Sequence, residues 1–327
     1  MKGQSGFSET GKLVLKEIML NNLFIFFVAL YMVIKGSTMA TKYAGRLAMG
    51  FHLSKYTVGF IIVAVISILP ETFIAINSAI AGVPSFGLGM LFGSNIADLT
   101  LIFAILVLYA GRSLRVESKI LKNHTVFPFL LLLPLILGLD GYFSRLEGVA
   151  LIVAGGIFYF VTLRSGRNGE PAPRDKTGRY ESLCMLLISM VVLLVGAHFT
   201  VTSASSLANN LGINPILIGM LVVGLGTTMP ELFFSLKSIK REDDSLAIGD
   251  LLGTVLADAT IVVGILALMN PFAFPQKIIY ITGSFMVVAS FVLFRFMRSG
   301  RTLTRQEVFL LFVFWLVFAL VEFIANS

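Results

Sequence analysis

Four acidic residues lie within otherwise apolar stretches of this sequence, in two pairs at a fixed separation. Glu71 and Asp98 occur in the first half of the chain, and Glu231 and Asp258 follow them at one constant offset. A charged group at the centre of a bilayer costs at least ~2.5–3.5 kcal/mol, so in membrane spans these side chains must face the protein interior. No Lys or Arg lies at matching depth in these stretches. The pattern therefore predicts that mobile charge, either metal cations or protons, compensates the four acids.

Hydroxyl groups accompany all four acids at helical spacing. Ser67 and Thr227 lie four residues before the glutamates, and Ser94 and Thr254 lie four residues before the aspartates. Residues separated by four share one face of a helix, so each hydroxyl is expected beside its acid. The structural alternative is that each hydroxyl donates a hydrogen bond to its own helix and that the acids are protonated. The symmetric placement of the four acid–hydroxyl pairs favours cation binding instead.

A proline directly precedes each glutamate, as Pro70 and Pro230. Proline disrupts the backbone bond to the carbonyl four residues earlier, which here belongs to residue 66 or 226. A helix interruption at membrane depth is tolerated where the backbone lines a buried site or a cavity. Carboxylate and carbonyl oxygens are the ligands that hard cations such as Ca²⁺ prefer. The sequence thus predicts a cation site at two interrupted helices.

The composition identifies the class of protein that must position these residues. Of 327 residues, 57% are hydrophobic and only 13% are charged, whereas soluble chains are about a quarter charged. Many apolar runs also reach the ~20 residues that a transmembrane helix needs. A soluble enzyme, a disordered chain and a disulfide scaffold are excluded, and a β-barrel with ~10-residue alternating strands is disfavoured. We predict an all-α polytopic membrane protein. Its ten predicted spans are residues 21–45, 57–82, 87–110, 124–140, 146–164, 182–208, 215–237, 246–269, 277–298 and 304–326.

The basic residues predict an orientation. Of 25 Lys and Arg, 19 fall in or beside the odd-numbered loops, and only Lys35 lies well within a span. Because cytoplasmic loops carry an excess of Lys and Arg, we expect the odd loops in the cytoplasm and both termini outside. The expected location is the cell membrane. The net charge of +7 is spread over these loops and does not form one face, which disfavours nucleic-acid binding.

The two halves of the chain repeat each other without a gap over residues 36–106. The matched pairs, all at the same offset, include Gly36/Gly196, Ala44/Ala204, Gly59/Gly219, Pro70/Pro230, Glu71/Glu231, Gly93/Gly253 and Asp98/Asp258. Five spans per half make the second half enter the membrane from the opposite side, which predicts inverted repeats with a midplane site. The predicted divisions are an N-terminal segment (1–18), a first repeat (19–165), a cytoplasmic linker (166–181) and a second repeat (182–327).

Other polar residues carry weaker signals. Asp250 lies near a predicted span end, and we interpret it as a solvated or entrance charge. His52, His124 and His198 have no metal-ligand spacing, and the single cysteine, Cys184, lies in an apolar run. No phosphate-binding loop is present, so no nucleotide and no cofactor are predicted, and the energy source is expected to be an ion gradient.

At the acidic residues the sequence resembles the sodium/calcium exchanger family of the cation/Ca²⁺ exchanger superfamily. The motifs are VISILPE (65–71) with GSNIAD (93–98), and GLGTTMPE (224–231) with GTVLAD (253–258). The resemblance covers both repeats and implies Ca²⁺ and Na⁺ as transported ions. It implies that Glu71 and Glu231 bridge Ca²⁺ and Na⁺ sites, and that spans one and six slide as a gating bundle. The other implied ligands are Ser67 and Thr227 beside the glutamates, Thr228, Ser94 and Thr254 at Na⁺ sites, and Asp98 and Asp258 in the middle.

Two positions depart from the family pattern. Ile68 stands where the first repeat usually has a hydroxyl, and Asp98 stands where many members carry Asn. Four neighbouring acids oppose one another's ionisation, so the extra acid favours either a held proton or a proton-coupled route. A H⁺-coupled or Mg²⁺-carrying exchanger on the same fold is therefore the main alternative to Ca²⁺/Na⁺ exchange.

Two further classes are less favoured. An intramembrane aspartyl protease needs Gly-x-Gly-Asp, whereas the nearest run here, AIGD (247–250), lacks the first glycine. A passive cation channel could use the same acids. Turnover above ~10⁵ ions per second would favour a channel, because each cycle of alternating access needs conformational steps of μs–ms. The sequence thus predicts a transporter and not an enzyme.

Overall fold

A computed structural model describes residues 9–48, 60, 63–117, 126–165 and 179–326. Residues 1–8 of the predicted N-terminal segment, most of the predicted linker (166–178), Gly59, His52 and His124 lie outside the described residues. The first half contains α1 (Glu9–Ala48), α2 (Ala64–Ser67), α3 (Leu69–Ile80), α4 (Pro84–Ala97), α5 (Phe103–Ala110), β1 (Leu114–Arg115), α6 (Val126–Leu137), β2 (Tyr142–Phe143) and α7 (Arg145–Ser165).

Over the described residues the second half has the same order of elements, with α9 in addition. It contains α8 (Arg179–Leu211), α9 (Pro215–Ile218), α10 (Gly224–Thr227), α11 (Met229–Lys240), α12 (Asp244–Ala257), α13 (Val263–Met269), β3 (Phe272–Ala273), α14 (Ser284–Arg298), β4 (Thr302–Leu303) and α15 (Arg305–Asn326). Within the described ranges, π-helical segments continue these helices at Asp98–Ile102, Gly219–Val223, Asp258–Val262 and Ile278–Gly283.

The predicted all-helical membrane class is confirmed. Eight helical stretches in the described residues are long and apolar enough to cross a membrane, and two shorter apolar ones lie at Ala64–Ile80 and Val126–Leu137. The count of ten spans stays a prediction, although each of these ten apolar stretches overlaps one predicted span.

The contacts between the halves recur in symmetric pairs. Two antiparallel pairs of short strands form, β1 with β4 and β2 with β3. The helices that follow β2 and β4 begin with matching capping boxes. The backbone N–H of Ser144 donates to Glu147, and at the equivalent positions of the second repeat that of Thr304 donates to Glu307. Each strand pair joins one strand from each repeat, so the repeats interlock at both ends of the bundle.

The core is formed by the helices that carry the aspartates. These are the helical stretches Pro84–Ala110 and Asp244–Met269. In each of them, 83% of an apolar segment of 18 residues is buried inside the protein. Glycine allows close approach at two symmetric crossings. A Cβ added at Gly93 would lie 2.3 Å from the carbonyl oxygen of Met220, and one added at Gly253 would lie 2.3 Å from that of Phe60. Close backbone approach through small residues is how membrane helices associate without a hydrophobic drive between them.

The two long helices α1 and α8 pack against each other, again through symmetric glycines. A Cβ at Gly36 would lie 3.2 Å from the carbonyl oxygen of Ser189, and one at Gly196 would lie 3.1 Å from that of Ala29. The helix α1 also contacts α10. The Leu30 side chain on α1 would lie 2.6 Å from a Cβ added at Gly226 on α10. The α1–α8 pair therefore lies directly beside the chain segment that leads to Glu231.

An ion pair fixes one end of the bundle. Arg112 donates two hydrogen bonds to Asp244, at 2.7 and 2.8 Å, and the backbone N–H of Arg115 donates to the same carboxylate at 2.8 Å. The pKa of Arg112 is raised above its ordinary value, mainly by the side-chain hydrogen bond to Asp244. This two-pronged geometry orients both groups and ties β1 to the start of α12.

Because the Gly93 and Gly253 crossings leave no room for a side chain, Gly93→Ala and Gly253→Ala are each expected to destabilise the fold by ~1–3 kcal/mol. The measurement is thermal unfolding of the purified protein in detergent. Gly156→Ala is the matched control, since nothing lies within 4 Å of an added Cβ at Gly156 in the middle of α7. Equal unfolding midpoints for the three variants would contradict the close packing.

Candidate cation site

Both glutamates lie just after a break between two short helices. In the first repeat α2 ends at Ser67 and α3 begins at Leu69, and in the second α10 ends at Thr227 and α11 begins at Met229. The intervening residues, Ile68 and Thr228, have ψ angles of −1° and −4°. The prolines lie in the first turn of the following helix, where their missing N–H costs little. The predicted interruptions are thus present, and they are mild.

One prediction about these breaks was wrong. Backbone N–H groups at the breaks donate to the carbonyls of Ile66 and Gly226, which we expected proline to leave free. The small ψ angles tighten the turn toward 3₁₀ geometry, in which each bond joins a residue to the third one along the chain. The carbonyls of residues 66 and 226 are therefore hydrogen-bonded in this conformation, each with one lone pair in use.

All four predicted acids are in the protein interior. Glu71, Asp98, Glu231 and Asp258 are at most 1% exposed. Among the described residues, neither carboxylate oxygen of Asp98, Glu231 or Asp258 has a hydrogen-bond partner. Glu71 is close enough to each of the other three for direct Coulomb repulsion. The structure thus brings the four acids from opposite halves of the sequence into one cluster.

Positive charge is not built into this cluster. No Lys, Arg or His is among the buried side chains of the described residues. Buried carboxylates that lack both hydrogen bonds and basic partners are strongly unfavourable. Bound cations or protons would supply the missing compensation, as the sequence pattern predicts.

The hydroxyl groups are buried beside the acids and make two kinds of contact. Ser94, Thr227 and Thr228 donate to carbonyls of their own helices at 3.0 Å. Ser67 instead donates to Asp250, and the Thr254 hydroxyl has no partner in the described part of the chain. A hydroxyl that donates its proton keeps its lone pairs, so back-bonding still leaves these oxygens able to face a cation.

The aspartates coincide with a second irregularity of the backbone. Asp98 begins the π-helical segment Asp98–Ile102, and Asp258 begins the equivalent segment Asp258–Val262. Such single-turn π segments in helices are frequent at functional sites. The sequence showed no signal for them, because their composition is that of an ordinary apolar helix.

The expectation that Asp250 is a solvated charge was wrong, and the alternative of an entrance charge stays a prediction. Asp250 is 0% exposed and accepts a hydrogen bond from Ser67 at 3.1 Å. The helix α12 begins at Asp244 and packs against α2, so Asp250 is covered although it lies near a span end. Its spacing of four residues before Thr254 and eight before Asp258 would have identified it, because these three positions share one helix face.

The acids are close without converging on one point. Within the described residues, no three His, Cys, Asp or Glu side chains are grouped so that they could hold one metal ion by themselves. A cation here would complete its shell with hydroxyl, carbonyl or water oxygens beside the carboxylates, a mixture that Ca²⁺ accepts. His198 and Cys184 are exposed on α8 and contribute nothing to the cluster.

Comparisons with known proteins agree with this arrangement. The family model described as "Sodium/calcium exchanger protein" matches the chain twice, over residues 21–164 and 181–324. A sodium-calcium exchanger structure, NCX_Mj soaked with Na⁺ and Ca²⁺, superposes with a TM-score of 0.68 at 24% identity, over 90% of this chain and 96% of that one. The overall fold is thus that of NCX_Mj.

Two relatives show the range of similarity in sequence. Membrane protein MJ0091 of Methanocaldococcus jannaschii is 28% identical over 71% of this chain and 77% of its own length. The sodium/calcium exchanger MaX1 of Methanosarcina acetivorans is 24% identical over 92% of this chain and 98% of its own length. With both repeats matched by the family model and the buried acids at equivalent positions of each, this chain is an integral membrane protein of the sodium/calcium exchanger family.

Proposed function

We propose that this protein is a secondary active antiporter that exchanges Ca²⁺ for Na⁺ by alternating access. The observation that carries the proposal is the cluster of buried acids from both repeats, which has no basic partner among the described residues. The ions are substrates, and no resident cofactor is proposed. The proposed ligands are Glu71, Glu231, Asp98, Asp258, Ser67, Thr227, Thr228, Ser94 and Thr254.

Competition for the same charge couples the two ion fluxes. Ca²⁺ or Na⁺ would each neutralise part of the cluster, and the two cannot occupy shared carboxylates together. An empty cluster would leave several buried charges uncompensated, and a closed intermediate in that state is costly. The protein would therefore change its accessible side mainly when loaded, which prevents a leak of either ion.

The α1–α8 pair is the proposed moving part. Its two helices are joined by the Gly36 and Gly196 contacts, and Leu30 packs on Gly226 next to Thr227. Sliding this pair would uncover one break or the other, because the two breaks are related by the inverted repeat. The proposed division is two repeats, 19–165 and 182–327, with a cytoplasmic linker (166–181) and an N-terminal segment (1–18).

Glu71→Gln and Glu231→Gln are each expected to lower Na⁺-driven ⁴⁵Ca²⁺ flux in proteoliposomes by at least ~100-fold, since loss of even supporting groups around a metal costs 10–100-fold. The amide keeps the shape and removes the charge. Asp140→Asn is the matched control, because Asp140 is exposed in the turn before β2. Flux that survives both glutamate substitutions would contradict the proposed site.

The main alternative, H⁺ coupling, is favoured by Asp98 and by the missing hydroxyl at Ile68. With Na⁺ coupling, sodium-free proteoliposomes with a pH gradient take up no Ca²⁺, and a Na⁺ gradient restores uptake. Asp98→Asn is expected to keep Na⁺-driven uptake, because Asn is the residue that many members of the family carry at this position and its carbonyl oxygen can still face a cation. Uptake driven by pH alone in the natural protein, and lost in Asp98→Asn, would establish the alternative. The same vesicles loaded with Mg²⁺ test the choice of divalent ion.

The proposed orientation in the cell membrane, with both termini outside, has a direct test. In a Cys184→Ser background, Asp140→Cys is expected to react with an impermeant maleimide on intact cells. Arg241→Cys, in the exposed turn after α11, is expected to react only after the cells are permeabilised. The opposite labelling pattern would contradict this orientation.

A further inference from the structure

Asp250 is a further buried acid, outside the four that the repeat pattern identifies. One carboxylate oxygen, Oδ1, accepts a hydrogen bond from Ser67 at 3.1 Å. The other, Oδ2, is buried and has no hydrogen-bond partner among the described residues. One hydrogen bond from a neutral hydroxyl does not compensate a buried carboxylate.

Asp250 faces the central cluster. It is close enough to Glu71, Asp98 and Glu231 for direct Coulomb interaction with each. These three residues also have unpartnered, fully buried oxygens. Asp250 and Ser67 therefore extend the cluster toward the end of the bundle where α12 begins.

The equivalent position at the other end is apolar. In the repeat register Asp250 corresponds to Met90, and the counterpart of Ser67 is Thr227. The same contact recurs through the pseudo-symmetry, since the Thr227 hydroxyl lies 3.9 Å from the Met90 sulfur. A thioether is a poor ligand for hard cations, so only one end of the cluster offers a carboxylate here.

The extra carboxylate lies beside the break of the first repeat, which lacks one hydroxyl. Ile68, directly after Ser67, stands where Thr228 supplies an oxygen in the second repeat. The carboxylate of Asp250 adds oxygen, and negative charge, beside this deficient break.

We propose that Asp250 and Ser67 form a further cation subsite that binds a hard cation, Na⁺ or Ca²⁺, next to the central cluster. The inference rests on the proposed function, because its occupant is one of the exchanged ions. Along α12, Asp250 lies about 9 Å from the first residue and Asp258 about 21 Å, at 1.5 Å per residue. Along α12 the subsite therefore lies closer than Asp258 to the end where the helix begins, which is cytoplasmic in the proposed orientation.

The test uses the full-length protein in detergent, titrated calorimetrically with Ca²⁺ alone and with Na⁺ alone. Asp250→Asn is expected to weaken binding of the resident cation about tenfold or more, as expected for removing one charge near a cation, and to lower its bound number by one. The titration in which Asp250→Asn differs from the natural protein, with Na⁺ or with Ca²⁺, identifies the occupant. Asp140→Asn, the same chemical change at an exposed position, is the matched control.

Ser67→Ala keeps the inference testable if Asp250→Asn does not fold. It is expected to weaken binding of the same cation by a smaller factor. In the double variant the two losses are expected to fall well short of additive, because both residues serve one ion. In proteoliposomes, these variants are expected to raise the half-saturating concentration of the resident cation when it is added on the side where α12 begins. The value measured on the other side is expected to change little.

The outcomes separate the two proposals. If the natural protein binds the ions and loses binding in Glu71→Gln, but Asp250→Asn retains both affinity and bound number, the subsite is overturned and the exchanger is not. Additive losses in the double variant also overturn a shared subsite. If Glu71→Gln and Glu231→Gln leave binding and flux unchanged, the proposed function itself fails.

Discussion

Uncompensated negative charge in the interior of a membrane protein is the constraint on which this structure depends. Four acids predicted from the repeat, and a fifth found in the fold, are buried together without a basic partner among the described residues. Such a cluster is tolerable only if cations or protons enter it, since each isolated buried charge costs several kcal/mol. The rest of the bundle is organised to hold these groups close, keep lipid away and leave backbone irregularities beside them.

Symmetry provides that organisation. The capping boxes, the Gly93 and Gly253 crossings, and the π segments at Asp98 and Asp258 all recur at the offset that separates the two repeats, and the two strand pairs recur close to it. Because the second repeat is inverted, each contact exists once toward either end of the bundle. Two nearly equivalent arrangements of one site are what an alternating mechanism requires, since the closed end of one arrangement is the open end of the other.

The departures from symmetry are as informative as the symmetry. Ile68 opposite Thr228 and Met90 opposite Asp250 make the two ends chemically different. A perfectly symmetric site would bind the same ions equally well from both sides, whereas this one presents more charge toward the start of α12.

Much of this protein was predictable from its sequence, because the relevant signals are local or strictly periodic. Long apolar runs require helices in a bilayer, and the repeat offset placed Glu71, Asp98, Glu231 and Asp258 in equivalent positions that had to face inward. The breaks at Ile68 and Thr228 followed from proline. The tertiary structure decided what depends on neighbours distant in the chain. It covered Asp250 with α2, tightened the breaks so that the carbonyls of residues 66 and 226 are bonded, and started π segments at both aspartates. A one-dimensional pattern records which face a residue occupies on its own helix, but only packing between helices determines which groups meet there and which remain without a partner.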